Sequence, residues 1–253
     1  MFARAWLALS APLALMACDA GGAEATDKTR GEPVAKVGLV STLPIYWPES
    51  AEFGDILRDD GEKSWVRQTI EAEYDLAPLD TFDTATLADI DLLILAQPRA
   101  LSAAENVALD DWVRGGGRVL VFADPMLTFH SRFPIGDRRR PQDVVLLSPI
   151  LARWGLELVY DDSQPERERM VMTTAGAIPV DLAGRFLARE TFAPSDCAIA
   201  AEGLVARCSI GEGKALLIAD AAMLDSDDHV GHSGSHDEQP HVLGELMRST
   251  LHD

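Results

Sequence analysis

Asp91-Leu92-Leu93-Ile94-Leu95-Ala96, followed by the segment from Ser102 to Gly117 and then Val119-Leu120-Val121-Phe122-Ala123 closing on Asp124-Pro125, is the stretch that decides the fold. The first run is apolar, continuous and of strand length, as expected for a strand covered on both faces in a parallel sheet. Ser102 with Glu105 three residues on forms a capping box, the start of a helix whose expected buried stripe is Val107, Leu109, Trp112 and Val113. Gly115-Gly116-Gly117 ends that helix with residues that tolerate positive φ, and Val119 to Ala123 follows as a second buried strand. Strand, helix, strand with tight connections is the right-handed βαβ unit of a doubly wound sheet.

The same alternation extends outward. Val34 to Val40 reads as a strand, and the prolines in Ser41-Thr42-Leu43-Pro44-Ile45-Tyr46-Trp47-Pro48 exclude regular helix after it. Glu62 to Tyr74 has helical spacing and precedes an extended Leu76 to Leu79. Further on, Gln142 to Trp154 reads as helix, Leu156 to Tyr160 as extended and Asp161 to Glu168 as a charged connection. Cys197 to Ala200 and Val205 to Ile210 fit a hairpin around Glu202-Gly203, Ala215 to Ala219 a last buried strand, and His241 to Leu251 a closing helix with Val242, Leu243, Leu246 and Met247 inward. The expected fold class is α/β, a doubly wound and mostly parallel sheet with a β-hairpin appendage.

The 253-residue chain carries 41 acidic against 22 basic residues, a formal charge of -19. That balance argues against nucleic acid as a partner, because phosphate binding needs a surplus of Lys and Arg, and it opposes broad attraction to anionic lipid. Any membrane attachment therefore needs a specific anchor. Met1 to Arg4 is a short positive region, and Ala5 to Met16 is an apolar stretch too short to span a bilayer, which takes roughly 20 residues. Leu15-Met16-Ala17-Cys18 resembles the bacterial lipobox, with Cys18 as the lipidation site; the alternative is an ordinary signal peptide cut near Ala20 to Ala23. Asp19 resembles the acidic signal that retains lipoproteins at the inner membrane. The expected layout is a lipoprotein signal peptide over 1–17, a flexible Gly- and Ala-containing tether over 18–33, and one α/β domain over 34–253, placed on the periplasmic face of the cell membrane.

The block from Leu92 to Pro125, with its Leu-Leu-Ile-Leu-Ala-Gln-Pro-Arg-Ala-Leu-Ser start and Asp-Asp-Trp-Val-Arg-Gly-Gly-Gly-Arg-Val-Leu-Val-Phe-Ala-Asp-Pro close, resembles the GldG-like auxiliary components of ABC transporters linked to gliding motility. Ala215 to Leu224 looks like a later strand of that family. The resemblance implies a flavodoxin-like or glutamine-amidotransferase-like fold without the enzymes' catalytic residues, working beside a transporter permease or another envelope protein. Longer members of that family carry transmembrane helices; here the lipid on Cys18 is expected to replace them.

Enzymes on such sheets place a nucleophile on a sharp turn in a Gly-x-Ser-x-Gly setting. Gly231-His232-Ser233-Gly234-Ser235 comes nearest and fails at its last position, and Cys197 and Cys208 lack flanking glycines, so no catalytic residue and no cofactor is expected. Gly115-Gly116-Gly117 lies after a helix, not before one, and so is a helix stop rather than a phosphate cradle. Cys197 and Cys208 sit at equal distances from Glu202-Gly203, which makes a disulfide across the hairpin available in an oxidising compartment; two reduced, buried cysteines are the alternative.

Asp124 and Asp220 end apolar strands where open α/β sheets bind ligands, and are candidate ligand carboxylates or else turn-fixing residues. Trp47, beside Tyr46 and Pro48, is a candidate stacking residue or a packing residue, as is Trp154. His229, His232, His236 and His241 lie among aspartates and are candidate metal ligands, without the spacing of a tight motif. Arg132 and Arg138-Arg139-Arg140 form a basic cluster suited to an anionic partner or to a neutralising loop. The favoured function is that of a non-enzymatic, lipid-anchored periplasmic accessory protein of an ABC-type transport system, acting by protein–protein or ligand binding. The alternative is a periplasmic solute- or metal-binding lipoprotein.

Overall fold

Five parallel strands in the order β2-β1-β3-β4-β11, extended by antiparallel β10 and β9, form the central sheet of the computed structural model, which describes residues 34–49, 63–191, 195–225 and 238–252. In chain order the elements are β1 (Lys36–Ser41), α1 (Trp65–Glu71), β2 (Asp75–Pro78), α2 (Thr84–Leu87), β3 (Leu92–Ala96), α3 (Ala103–Arg114), β4 (Arg118–Phe122), α4 (Ser148–Arg153), β5 (Leu156–Val159), β6 (Arg169–Thr173), β7 (Gly176–Val180), β8 (Arg185–Ala188), β9 (Asp196–Ala200), β10 (Val205–Ile210), β11 (Gly213–Ile218) and α5 (Gln239–His252). The chain divides into two units, Met1–Glu32 and Pro33–Asp253. The expected leader, tether and lipidation site Cys18 lie outside the described residues.

The chain leaves β1 toward β2 through α1, then moves the other way from β2 to β3 and from β3 to β4. Right-handed crossovers in opposite directions put helices on opposite faces, and indeed α1 packs with α5 while α2 packs with α3. β3 is therefore buried along its whole length, with Leu92, Leu93 and Leu95 fully excluded from solvent. No described helix is long and apolar enough to cross a membrane.

The local signals around α3 act as their chemistry requires. The Ser102 hydroxyl accepts from the Glu105 amide (3.2 Å) and the Glu105 carboxylate accepts from the Ser102 amide (2.8 Å). Glu105 also holds Arg99 at 2.6 Å, and this pairing draws its carboxyl down to about 2. At the other end, Gly116 has φ of 113° and Gly117 lies flat beneath Trp112; a Cβ on Gly117 would sit 2.4 Å from the indole. The buried stripe is turned slightly from its expected position. Val107 is exposed and Trp112 half-buried, while Ala108 joins Leu109 and Val113 inside.

Asp110, on that inner face, accepts from the Trp154 indole (3.0 Å) and from Arg114 and Arg153, which fixes α4 against α3. Trp154 is a core residue, 1% exposed. The helix expected from Gln142 is shorter: residues 142–147 are a loop in which the Val145 amide donates to the Asp124 carbonyl and the Asp143 carbonyl accepts from the Leu127 amide, and helix begins only at Ser148, with Pro149 in its first turn. Two small antiparallel pairs, β5 with β8 and β6 with β7, stand apart from the main sheet.

The hairpin is formed by β9 and β10, with Cys197 directly opposite Cys208 in the register and the two bridged by a disulfide. The turn between them passes through left-handed backbone at Ala201, Glu202 and Gly203. Because the bridge closes a loop of 11 residues, chain-entropy arguments give it about 2–3 kcal/mol. Reduction without alkylation is expected to lower the urea midpoint accordingly; an unchanged midpoint would show the bridge adds nothing.

Candidate functional site

A cavity of about 650 Å³ opens at the carboxyl ends of β1 and β2, beside the point where the connections from β1 and β3 diverge. Open α/β sheets place ligands there because diverging loops leave a crevice over the strand ends. Leu39 and Ser41 of β1 and Pro78 of β2 form part of its wall, and the loops after them add Trp47, Glu49 and Asp80. The third wall comes from Arg132, Phe133 and Arg139, some 85 residues away in sequence from Trp47.

The wall built by the β1 loop is rigid for identifiable reasons. The Ser41 hydroxyl accepts from the Leu43 amide at 2.9 Å, turning the chain sharply, and Pro44 and Pro48 restrict it further. Arg67, only 3% exposed, stacks its guanidinium 3.9 Å from the Tyr46 ring and donates to the Tyr46 carbonyl at 3.1 Å. Glu71 holds the same arginine at 2.7 Å. Tyr46 in turn meets Trp47 edge to face at 4.7 Å, and Trp47 remains 41% exposed in the cavity wall.

The facing loop is tied on by Glu49. Its two oxygens accept from the Ser131 hydroxyl (2.6 Å) and the Arg132 amide (2.9 Å). Phe133 carries both arginines on its ring, Arg139 at 4.0 Å and Arg132 at 5.4 Å. Asp137 pairs with Arg139 through two bonds, and that pairing pulls the Asp137 carboxyl down to about 2. Arg132 makes no ion pair with a carboxylate among the described residues.

Gln97, one residue past β3, is the hinge pin between these loops. Its φ is 44° and its side chain is wholly buried. The side-chain amide donates to the carbonyls of Asp124 (3.1 Å) and Gln142 (2.8 Å), and its oxygen accepts from the Asp124 amide (2.9 Å). Its own carbonyl accepts from the Thr42 amide at 3.3 Å, and the Thr42 hydroxyl accepts from the Gln142 amide at 3.0 Å. Neither Gln97 nor Arg67 stood out in the sequence; a polar residue directly after a fully apolar strand was the available signal for the first.

The residues singled out in the sequence occupy different places. Trp47 lines the cavity. Asp124 and Asp220 are buried at 0% and 1% exposure and do not line it. Asp124 accepts from the amides of Met126 (2.8 Å) and Ala221 (3.3 Å), and Asp220 from those of Asp181 (3.1 Å) and Ala222 (2.6 Å), so each fixes its own turn and a neighbouring segment. Burial, together with repulsion from Asp181, pushes Asp124 up to about 7. Burial and the adjacent Asp124 raise Asp220 well above the ordinary carboxylate range. His241 is exposed on α5, and His229, His232 and His236 lie outside the described residues. Among the described residues no group of three or more His, Cys, Asp or Glu is arranged to hold a metal ion.

Solved structures with similar backbones include a cytoplasmic protein from Salmonella typhimurium LT2, with 12% identity, TM-score 0.49 and coverage of 85% of this chain and 99% of that one. A putative ThuA-like protein from Bacteroides uniformis has 10% identity, TM-score 0.46 and coverage of 85% and 91%. An exo-β-1,4-mannosidase from Opitutaceae bacterium strain TAV5 has 15% identity, TM-score 0.45 and 85% coverage of this chain, which spans only 35% of the glycosidase. No curated protein sequence matches the chain. The family described as an ABC-type uncharacterized transport system matches residues 35–179, more than half the chain and all of the sheet from β1 to β4. The chain belongs to this family, the auxiliary components of an ABC-type transport system.

Proposed function

We propose that the protein is a GldG-like, non-enzymatic accessory lipoprotein, anchored by acylation of Cys18 on the periplasmic face of the inner membrane, which associates with the permease of its transporter. The single observation that carries the non-enzymatic part is how the serine and threonine hydroxyls of the cavity wall are used. Ser41 and Thr42 spend theirs on backbone groups of the chain, Ser41 on Leu43 and Thr42 on Gln97 and Gln142, and neither meets a basic side chain. A hydroxyl without an adjacent base is a weak nucleophile, so this crevice is suited to binding. The strand order 2-1-3-4-5 of its parallel part supports a flavodoxin-like reading of the fold.

Support for the anchor comes from the -19 charge, which opposes broad attraction to an anionic bilayer, and from the lipobox-like Leu15-Met16-Ala17-Cys18. Intact-mass measurement of the protein extracted from membranes tests it. The expected species begins at Cys18 and carries the added mass of a diacylglycerol; a product beginning at Ala20 to Ala23 with no lipid, recovered in the soluble fraction, would overturn the anchor.

A further inference from the structure

We propose that the β1–β2 cavity is a binding site for an acidic saccharide, a sugar ring carrying a carboxylate or phosphate. The proposal rests on the reading of this crevice as a binding rather than a catalytic site. Three features of the wall set the ligand's chemistry. Trp47, 41% exposed as a residue and met edge to face by Tyr46, offers an aromatic face of the kind that stacks on a ring. Tyr46 is itself locked by the buried Arg67, so the face is in place before any ligand arrives.

Across from it, the nearby carboxylates are directed to groups other than Arg132's guanidinium. Glu49 is used by Ser131 and Arg132's own amide, and Asp137 by the Arg139 guanidinium. Arg132 is left with a guanidinium that no carboxylate of the described residues satisfies, spread over Phe133 in the cavity wall. In a chain of charge -19, a cation in this cavity wall with no carboxylate partner among the described residues is where an anionic group would be drawn. Asp80, on the β2 side, is positioned by Arg99, which donates to its carbonyl at 2.6 Å, and it adds an acceptor for sugar hydroxyls. A volume of about 650 Å³ suits a ligand of one or two sugar rings.

Calorimetric titration of the mature protein with glucuronic acid, glucose 1-phosphate, glucose and benzoate tests this. At least one acidic sugar is expected to saturate, with glucose and benzoate each at least tenfold weaker; the preference between carboxylate and phosphate identifies which acidic group the site takes. Arg132→Gln and Trp47→Ala, both at exposed positions, are each expected to weaken the preferred sugar by about tenfold, the loss of one charge-assisted contact or one stacking face. No saturation by either acidic sugar, equal binding of glucose or benzoate, or unchanged affinity in both variants would overturn the proposal. Chemical alteration of the bound sugar, followed by mass spectrometry in the same samples, would instead overturn the non-enzymatic reading while leaving the ligand assignment intact.

Discussion

Unfolding free energy is expected to fall as pH rises from about 4 to about 7. The cause is the pair Asp124 and Asp220 at the ends of β4 and β11. Asp124 titrates at 3.8 when unfolded and at about 7 in the buried site. Between those values the folded state binds more protons than the unfolded one, so stability decreases with rising pH and the loss is complete once pH passes about 7. Asp220 is shifted in the same direction by burial and by Asp124. The two carboxyls face each other, so the loss belongs to the pair and not to Asp124 alone.

Glu105 works in the opposite sense but at lower pH. Its carboxyl is drawn to about 2, so the stability it contributes is present above 4.5 and is lost only as pH falls toward about 2. A stability maximum near pH 4 is the net expectation. Urea titrations of wild type and Asp124→Asn at several pH values between 4 and 8 check it. The variant is expected to show a much flatter slope; a wild-type protein that gains stability up to pH 8, or a variant with a parallel slope, would contradict the assignment.

Gln97→Ala is expected to cost about 4 kcal/mol, because the substitution strands two buried polar groups, the amide and carbonyl of Asp124, and the part-buried carbonyl of Gln142. Each unsatisfied group costs roughly 1–3 kcal/mol, and the side chain's volume is lost as well. For a domain of this size the melting temperature should drop by about 10 °C. The loops after β1, β3 and β4 all meet at this residue, so amide exchange should accelerate first at Thr42 and Gln142, ahead of the hairpin. A loss below about 1 kcal/mol would show that water replaces the glutamine without penalty.

The main sheet was legible in the sequence because its signals are local. Leu92 to Ala96 and Val119 to Phe122 are apolar without alternation, and Ser102, Glu105 and Gly115 to Gly117 mark the helix between them within a few residues. The Cys197–Cys208 bridge was legible for the same reason, since a hairpin's register follows from its turn. The small pairs β5–β8 and β6–β7 were not. Met170 and Met172 of β6 face solvent and only Val171 is buried, so that strand carries no apolar pattern to read. The segment 142–147 looked helical from its valines and leucines, yet its backbone is claimed by Asp124 and Leu127, a tertiary choice that outweighs propensity.

The candidate site divides along the same line. Trp47 and the arginines at 132 and 139 were visible as residue types, but their meeting around one cavity depends on contacts across 85 residues. Asp124 and Asp220 drew notice for their place at strand ends; what decides their role is the set of backbone amides they accept from, which only the fold supplies.

The accessory role is tested most directly by isolating the protein from detergent-solubilised native membranes and identifying what comes with it by mass spectrometry. A multi-span permease and its ATPase are expected in stoichiometric amounts, and are expected to be lost when Cys18→Ala releases the chain from the membrane. Recovery of the membrane-bound protein alone, with the permease in separate fractions, would contradict the account.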